Sequence, residues 1–281
     1  MEERLPMIST SQLEQFRSEG YVIIEGIDSS IYETIRQAAE RVTAKGRSGA
    51  WPHVRQVPDR QPRDILGVSS LLHPDLEEPA FAHSMATPQV LDVAKALLQD
   101  KVIRLSLTNM LVNPAHTDYA IGWHRDATEA SLEGDDEIAA LNCGQWGVQW
   151  NAALYRDDCL RIVPGSHRRN MTEAERGVLL NRSMDPMPGE LRVSLQVGQT
   201  VYYNANLLHK GDYSADQSRL TLHANLVSMR EPIPFSGHYE WVKFMAEPGF
   251  RATLPEALIP LHDNWLEFVR RCQAMTADDV S

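Results

Sequence analysis

A chain of 281 residues, 43% hydrophobic and 23% charged, buries enough surface to fold without disulfides or a structural metal. Its 27 basic and 38 acidic residues leave a formal net charge of −11, which argues against a nucleic-acid partner. With no apolar run near the ~20 residues that span a bilayer, no signal-peptide pattern in Met-Glu-Glu-Arg and no CxxC among Cys143, Cys159 and Cys272, the expectation is a cytoplasmic protein without a membrane partner, acting on a small molecule.

In chain order, Ser9, Thr10 and Ser11 offer N-caps, with Glu14 at capping-box spacing from Ser11, and Gly20 stands where a first helix ends. Tyr21–Ile24 reads as a short strand and Ser30–Ala44 as a second helix closed by Gly46. From Arg47 to Pro79, prolines at 52, 58, 62, 74 and 79 break every period and predict a long irregular segment, suited to a lid. Trp51, His53 and Arg55 alternate within it, so an extended chain would aim all three at substrate. Thr87–Gln99 resumes as an amphipathic helix with Pro88 in its first turn. Strand-like runs follow at 102–112, 147–155, 160–163, 191–197, 200–208 and 220–228, and a helix at 263–275. Helices first and strands after predict an α+β, mainly β fold in one domain spanning 1–281. Its jelly-roll core covers about 102–228, its helical flank 9–100.

Ten histidines against three cysteines turn attention to His/carboxylate metal sites. His-x-Asp on a strand puts both side chains on one face, and a His from another strand completes the 2-His-1-carboxylate triad that suits Fe(II). The chain offers His73/Asp75, His116/Asp118 and His124/Asp126, with His238/Glu240 as a variant. Pro74 spoils the first as a strand, His116 follows Asn-Pro-Ala in a loop, and His238 has no strand run after it. His124/Asp126, beside Ile121 and Trp123 and ahead of the main strands, ranks first, and His116/Asp118 second. His209, ending the run from Thr200, is the candidate third ligand. In a hairpin centred on Ser214, Arg219 would face His209 and could hold a carboxylate beside the metal.

Ser11–Ile24, Trp123-His-Arg-Asp126, Cys159–His167 with its Pro-Gly-Ser-His, and Val197–His209 followed by Arg219 together resemble the phytanoyl-CoA dioxygenase family of Fe(II)/2-oxoglutarate oxygenases. The resemblance implies a double-stranded β-helix, a cupin-like jelly roll flanked by helices. It implies Fe(II) on His124, Asp126 and His209, the distal carboxylate of 2-oxoglutarate on Arg219, and O2 as the second co-substrate. Some relatives carry Ser or Thr two residues after the distal His; here that residue is Gly211, so Thr221 is the candidate extra donor. Asn109 and Gln149, amides in apolar strands, are candidates for the metal-proximal end of 2-oxoglutarate, against the alternative of a structural network with Asn113 and Asn151. His167 reads as part of a structural turn and His223 as core.

The implied reaction is oxidation of an unactivated C–H bond by hydroxylation, desaturation or cyclisation, releasing succinate and CO2. Related halogenases have a small residue where Asp126 stands, so oxygenation is expected here. The charge of −11 leans toward a small hydrophobic metabolite over a CoA thioester. The rivals are a zinc or manganese cupin-like hydrolase or isomerase, which Arg219 disfavours, and a non-enzymatic metal- or 2-oxoglutarate-binding module, which the lack of an output domain disfavours.

Overall fold

The computed structural model describes residues 8–58, 64–143, 146–231 and 239–278. The first helix, α1 (Thr10–Glu19), is capped by Ser9, one of the three candidates, and its capping box is Ser9–Gln12 in place of Ser11–Glu14. Ser9 Oγ accepts from the Gln12 N–H, and the Gln12 side chain accepts from the Ser9 N–H. Gly20 ends it at φ +82°, a left-handed conformation that a side chain resists. A Cβ there would also lie 2.5 Å from Nδ1 of His167, so the Pro-Gly-Ser-His turn packs directly on the helix end.

After β1 (Tyr21–Glu25), α2 (Ser29–Ser48) runs through Gly46 and closes at Gly49 instead. Gly46 serves packing: a Cβ would stand 3.0–3.2 Å from Val68, Val54 and Ile65, the strands on which the helix lies. Those strands, β2 (Val54–Gln56) and β3 (Ile65–Val68), overturn the irregular-segment expectation for the described residues. Pro52 and Pro58 bracket β2 and do not interrupt it, so β2 and β3 pair and extend the sheet through β4 (Ile103–Val112). Between them and β4 come α3 (Ala80–Met85) and α4 (Pro88–Leu98).

The chain continues through β5 (Tyr119–His124), α5 (Gly134–Cys143), β6 (Gly147–Ala153), β7 (Leu160–Ile162), α6 (Glu173–Leu180), β8 (Leu191–Arg192), β9 (Gln199–Asn204), β10 (His209–Tyr213) and β11 (Leu220–Ser228). It closes with α7 (Tyr239–Val242) and α8 (Ile259–Asp278). The expected run 200–208 breaks at Asn204, whose carbonyl and side chain accept from the Leu207 and Asn206 N–H groups and turn the chain.

A seven-stranded sheet, β1-β9-β6-β11-β4-β3-β2, faces a four-stranded sheet, β5-β10-β7-β8, in a jelly roll. Ala153, Val201 and Tyr203 of the large sheet pack with Leu160 and Ile162 of the small one between the layers. Residues of α2, α4 and α8 cover the outer face of the large sheet, which explains why β4, β6, β9 and β11 are buried almost continuously instead of alternately. Three strands of the N-terminal flank belong to this sheet, so the β core starts well before residue 102.

The hairpin centred on Ser214 does not form. β10 has both edges filled by β5 and β7, and β11 has both filled by β6 and β4. The chain crosses from one layer to the other between Tyr213 and Leu220. Among the described residues no helix is long and apolar enough to cross a membrane.

The junction of β3 and β4 is tight: a Cβ on Gly67 would lie 2.5 Å from the Met110 carbonyl oxygen, a backbone atom with little room to yield. Gly67→Ala should therefore destabilise the fold by about 1–3 kcal/mol, read as a lower urea midpoint.

Candidate metal centre

The site begins with a strand pair that is out of step. His209 of β10 pairs with His124 of β5, but Gly211 pairs with Ile121, so three residues of β5 span two of β10. This bulge lets Ile121 and His124 share the interior face although they are three residues apart. Asp126 lies past the end of β5, and its N–H donates to the Ala205 carbonyl at 2.9 Å, in the turn before β10. A backbone bond, in place of strand alternation alone, brings the carboxylate to the two imidazoles.

The three side chains converge. His124 Nε2 is 3.5 Å from Asp126 Oδ1, His209 Nε2 is 3.7 Å from Oδ2, and one ligand atom from each lies within 4.8 Å of the others. Each Nδ1 faces a backbone carbonyl: Gly122 at 2.7 Å for His124, Leu207 at 2.8 Å for His209. A carbonyl can only accept, so Nδ1 carries the proton and both Nε2 lone pairs are left for a cation. Burial, reinforced by His209, pushes the His124 pKa down to about 4, so the ring is neutral at ordinary pH. Burial alone would raise the Asp126 carboxyl, but His209, His124 and the Gln149 amide outweigh it and keep the group ionised. Gln149 on β6 donates from Nε2 to Asp126 Oδ2 at 2.8 Å, so its amide nitrogen is committed to the carboxylate. Two imidazoles and one carboxylate on one side fit Fe(II) and leave coordination positions open.

Arg125, between the ligands in sequence, points the opposite way. Its fully buried guanidinium pairs with Glu137 of α5 and donates to the Ser166 and Arg169 carbonyls at 2.7 and 3.2 Å. Glu137 also accepts from Arg176 and from the Met171 N–H. This network anchors the short stretch that carries His124 and Asp126.

Arg219 arrives from the opposite layer, just before β11. Its Nε and the Thr221 hydroxyl both donate to Asp157 Oδ2, at 2.9 and 2.6 Å, and Arg219 Nη1 is buried without a partner. Thr221 thus holds the acid that holds the guanidinium. The orphaned N–H calls for an acceptor, and a ligand carboxylate fits it. Asn109 of β4 likewise has a buried Oδ1 with no partner and stands opposite His223 of β11. His223, expected as core, responds to Asp126 and His209 after the effect of burial, which pushes its pKa down to about 4; its Nδ1 is 2.8 Å from Asn151 Oδ1. Tyr203 of β9 meets the His209 ring edge-on, with centroids 5.5 Å apart. The sequence reading singled out neither Asp157 nor Tyr203, because their partners Arg219 and His209 come from other strands.

The other candidates lie elsewhere. His116 is exposed in a loop whose N–H groups at 115 and 116 bind Asp64. His73 caps a short turn through the Asp75 N–H and packs on Phe244 at 4.7 Å, and His238 is outside the described residues. Trp51 is buried in the helix-side core, with Nε1 donating to the Ser69 carbonyl at 3.1 Å, and His53 packs on its ring. The alternation drawn through Trp51, His53 and Arg55 fails at its start, because β2 begins only after a tight turn from the Val54 N–H to the Pro52 carbonyl. Arg55 alone of the three lies within the strand.

Gln149→Leu would remove the donor that orients Asp126. Metal affinity, measured by anaerobic calorimetry, should fall by about 10–100-fold with the fold retained.

The phytanoyl-CoA dioxygenase (PhyH) family profile matches residues 16–220. No curated protein matches the chain by sequence. Among solved structures, EctD from S. alaskensis, determined with 2-oxoglutarate and 5-hydroxyectoine, is similar at TM-score 0.63 and 18% identity, covering 92% of this chain and 89% of that one. AviO1 from Streptomyces viridochromogenes Tue57 gives 0.62 and 16%, covering 81% and 98%. The epimerase SnoN from nogalamycin biosynthesis, in complex with Fe3+, alpha ketoglutarate and nogalamycin RO, gives 0.54 and 18%, covering 81% and 90%. At these identities the likeness shows a shared fold.

Proposed function

The chain belongs to the phytanoyl-CoA dioxygenase family of Fe(II)/2-oxoglutarate-dependent oxygenases, and from that premise we propose that it oxidises an unactivated C–H bond of a small hydrophobic metabolite, releasing succinate and CO2. One observation carries the reading: three convergent ligands on one layer face a buried, unsatisfied guanidinium nitrogen on the other. His124, Asp126 and His209 would hold Fe(II), which with 2-oxoglutarate and O2 supplies the oxidising power.

The chain's own residues do the rest. The Nδ1–carbonyl bonds fix both imidazole tautomers, so each neutral ring presents its Nε2 lone pair to a cation. Asp157 holds Arg219 by Nε and leaves Nη1 to donate to the distal carboxylate of 2-oxoglutarate. Thr221 acts one bond further back, by keeping Asp157 in place. Gln149 steadies Asp126, while Asn109 and His223 form a polar wall across the β4–β11 pair for the metal-proximal end. Leu111, Tyr119 and Ile121, all half-buried, offer apolar surface to a substrate. With Asp126 in the ligand set, the expected outcome is oxygenation, and no chlorinated product should form.

Alanine at His124, Asp126 or His209 should each abolish Fe(II)-dependent succinate formation from 2-oxoglutarate, and His73→Ala should not. Arg219→Lys keeps a cation beside Asp157 but loses the fork. It should raise the KM for 2-oxoglutarate at least tenfold, the equivalent of a charge-assisted contact of about 1.5–3 kcal/mol. A KM within threefold of the parent value would remove Arg219 from the co-substrate site.

A further inference from the structure

Arg55 is a cation that the proposed reaction leaves unemployed. Its backbone register runs Arg55–Gly67–Leu111–Thr221–Ala153 across β2, β3, β4, β11 and β6. Directly paired residues of antiparallel strands share a face. Thr221 is on the interior face, since its hydroxyl reaches Asp157 beside Arg219, so Arg55 faces the interior as well. Gly67, its immediate neighbour, presents no side chain of its own on that face. Two residues on, Val57 packs with Leu66 and Tyr213, against which Tyr119 and Ile121 also rest. That apolar floor lies beside Arg55 on the same interior face.

The electrostatics agree with the register. The charge on Arg55 reaches both His124 on the small sheet and His223 on the large one. Among the described residues no carboxylate pairs with it, whereas Arg161, Arg169, Arg176 and Arg219 each hold an acid. In a chain of net charge −11, Arg55 is thus an exposed guanidinium on the interior face of the large sheet with no acid of its own among the described residues. Its forked donors match a carboxylate or a phosphate.

We propose that Arg55 anchors an anionic group, carboxylate or phosphate, at one end of an otherwise apolar substrate, whose body lies along Leu111, Tyr119 and Ile121. The substrate class narrows from an apolar metabolite to an apolar acid. This rests on the oxygenase reading only in assigning the other carboxylate-binding position, Arg219, to 2-oxoglutarate.

The test is calorimetric binding to the protein loaded with Zn(II) and saturating 2-oxoglutarate, which prevents turnover. The probes are octanoate, octyl phosphate, octanol and octylamine. At least one anion should bind ten or more times tighter than octanol, with octylamine weakest, and the better of the two anions identifies the headgroup. Arg55→Gln should remove the preference by weakening the anion at least tenfold while octanol is unchanged, and Arg55→Lys should restore part of it. The proposal is overturned if neither anion outbinds octanol, if Arg55→Gln keeps the preference, or if the anion binds only when 2-oxoglutarate is left out, which would place it at Arg219. Succinate formation by the Fe(II)-loaded parent protein without substrate tests the oxygenase reading separately, and its absence would leave the binding result standing.

Discussion

Everything at the centre depends on two strands being one residue out of step. If β5 and β10 paired in simple register, His124 and Ile121 would point to opposite sides, and no cation could bridge His124 to His209. The bulge concentrates the extra residue at Gly122 and Trp123, turns Trp123 outward against Val163 and Leu208, and leaves both imidazoles inside. Function is bought with one irregular pairing, and the Gly122 carbonyl at that irregularity also sets the tautomer of His124.

Around this pairing, polar groups are buried in complementary sets. Arg125 with Glu137 and Arg219 with Asp157 are each almost wholly enclosed. Such pairs add little net stability, because desolvation offsets attraction, but removing one member leaves an uncompensated charge at a cost of about 3–5 kcal/mol. They therefore act as geometric constraints. One fixes the stretch between two ligands, and the other fixes a guanidinium in the facing layer. A shared fold says less about chemistry than these constraints do, since an epimerase adopts the same architecture.

The ligand candidates were legible because each sits in a short local pattern: Trp-His-x-Asp, and a His closing an apolar run. The regular strands 103–112 and 220–228 were legible for the same reason. The layer crossing was not, because an apolar run, a polar turn and another apolar run read alike whether the strands pair with each other or with others. Prolines in 47–79 misled because they flank β2, and proline is harmless outside a ladder. Gly46 looked like a helix end, yet it is a contact point that only the distant strands reveal. Asp157 had no local signature at all, its partner Arg219 lying in another strand region.

The crossing between Tyr213 and Leu220 has a thermodynamic side. His209 and Arg219 are close in sequence but belong to separate layers, so a dicarboxylate reaching from a metal to Arg219 would act as a removable rivet through the sandwich. A ligand that binds only the folded chain adds about 2.7 kcal/mol at a hundredfold excess over its Kd. On the proposed reading, the chain draws part of its cohesion from the co-substrate it consumes, and each turnover withdraws the rivet that the next one replaces.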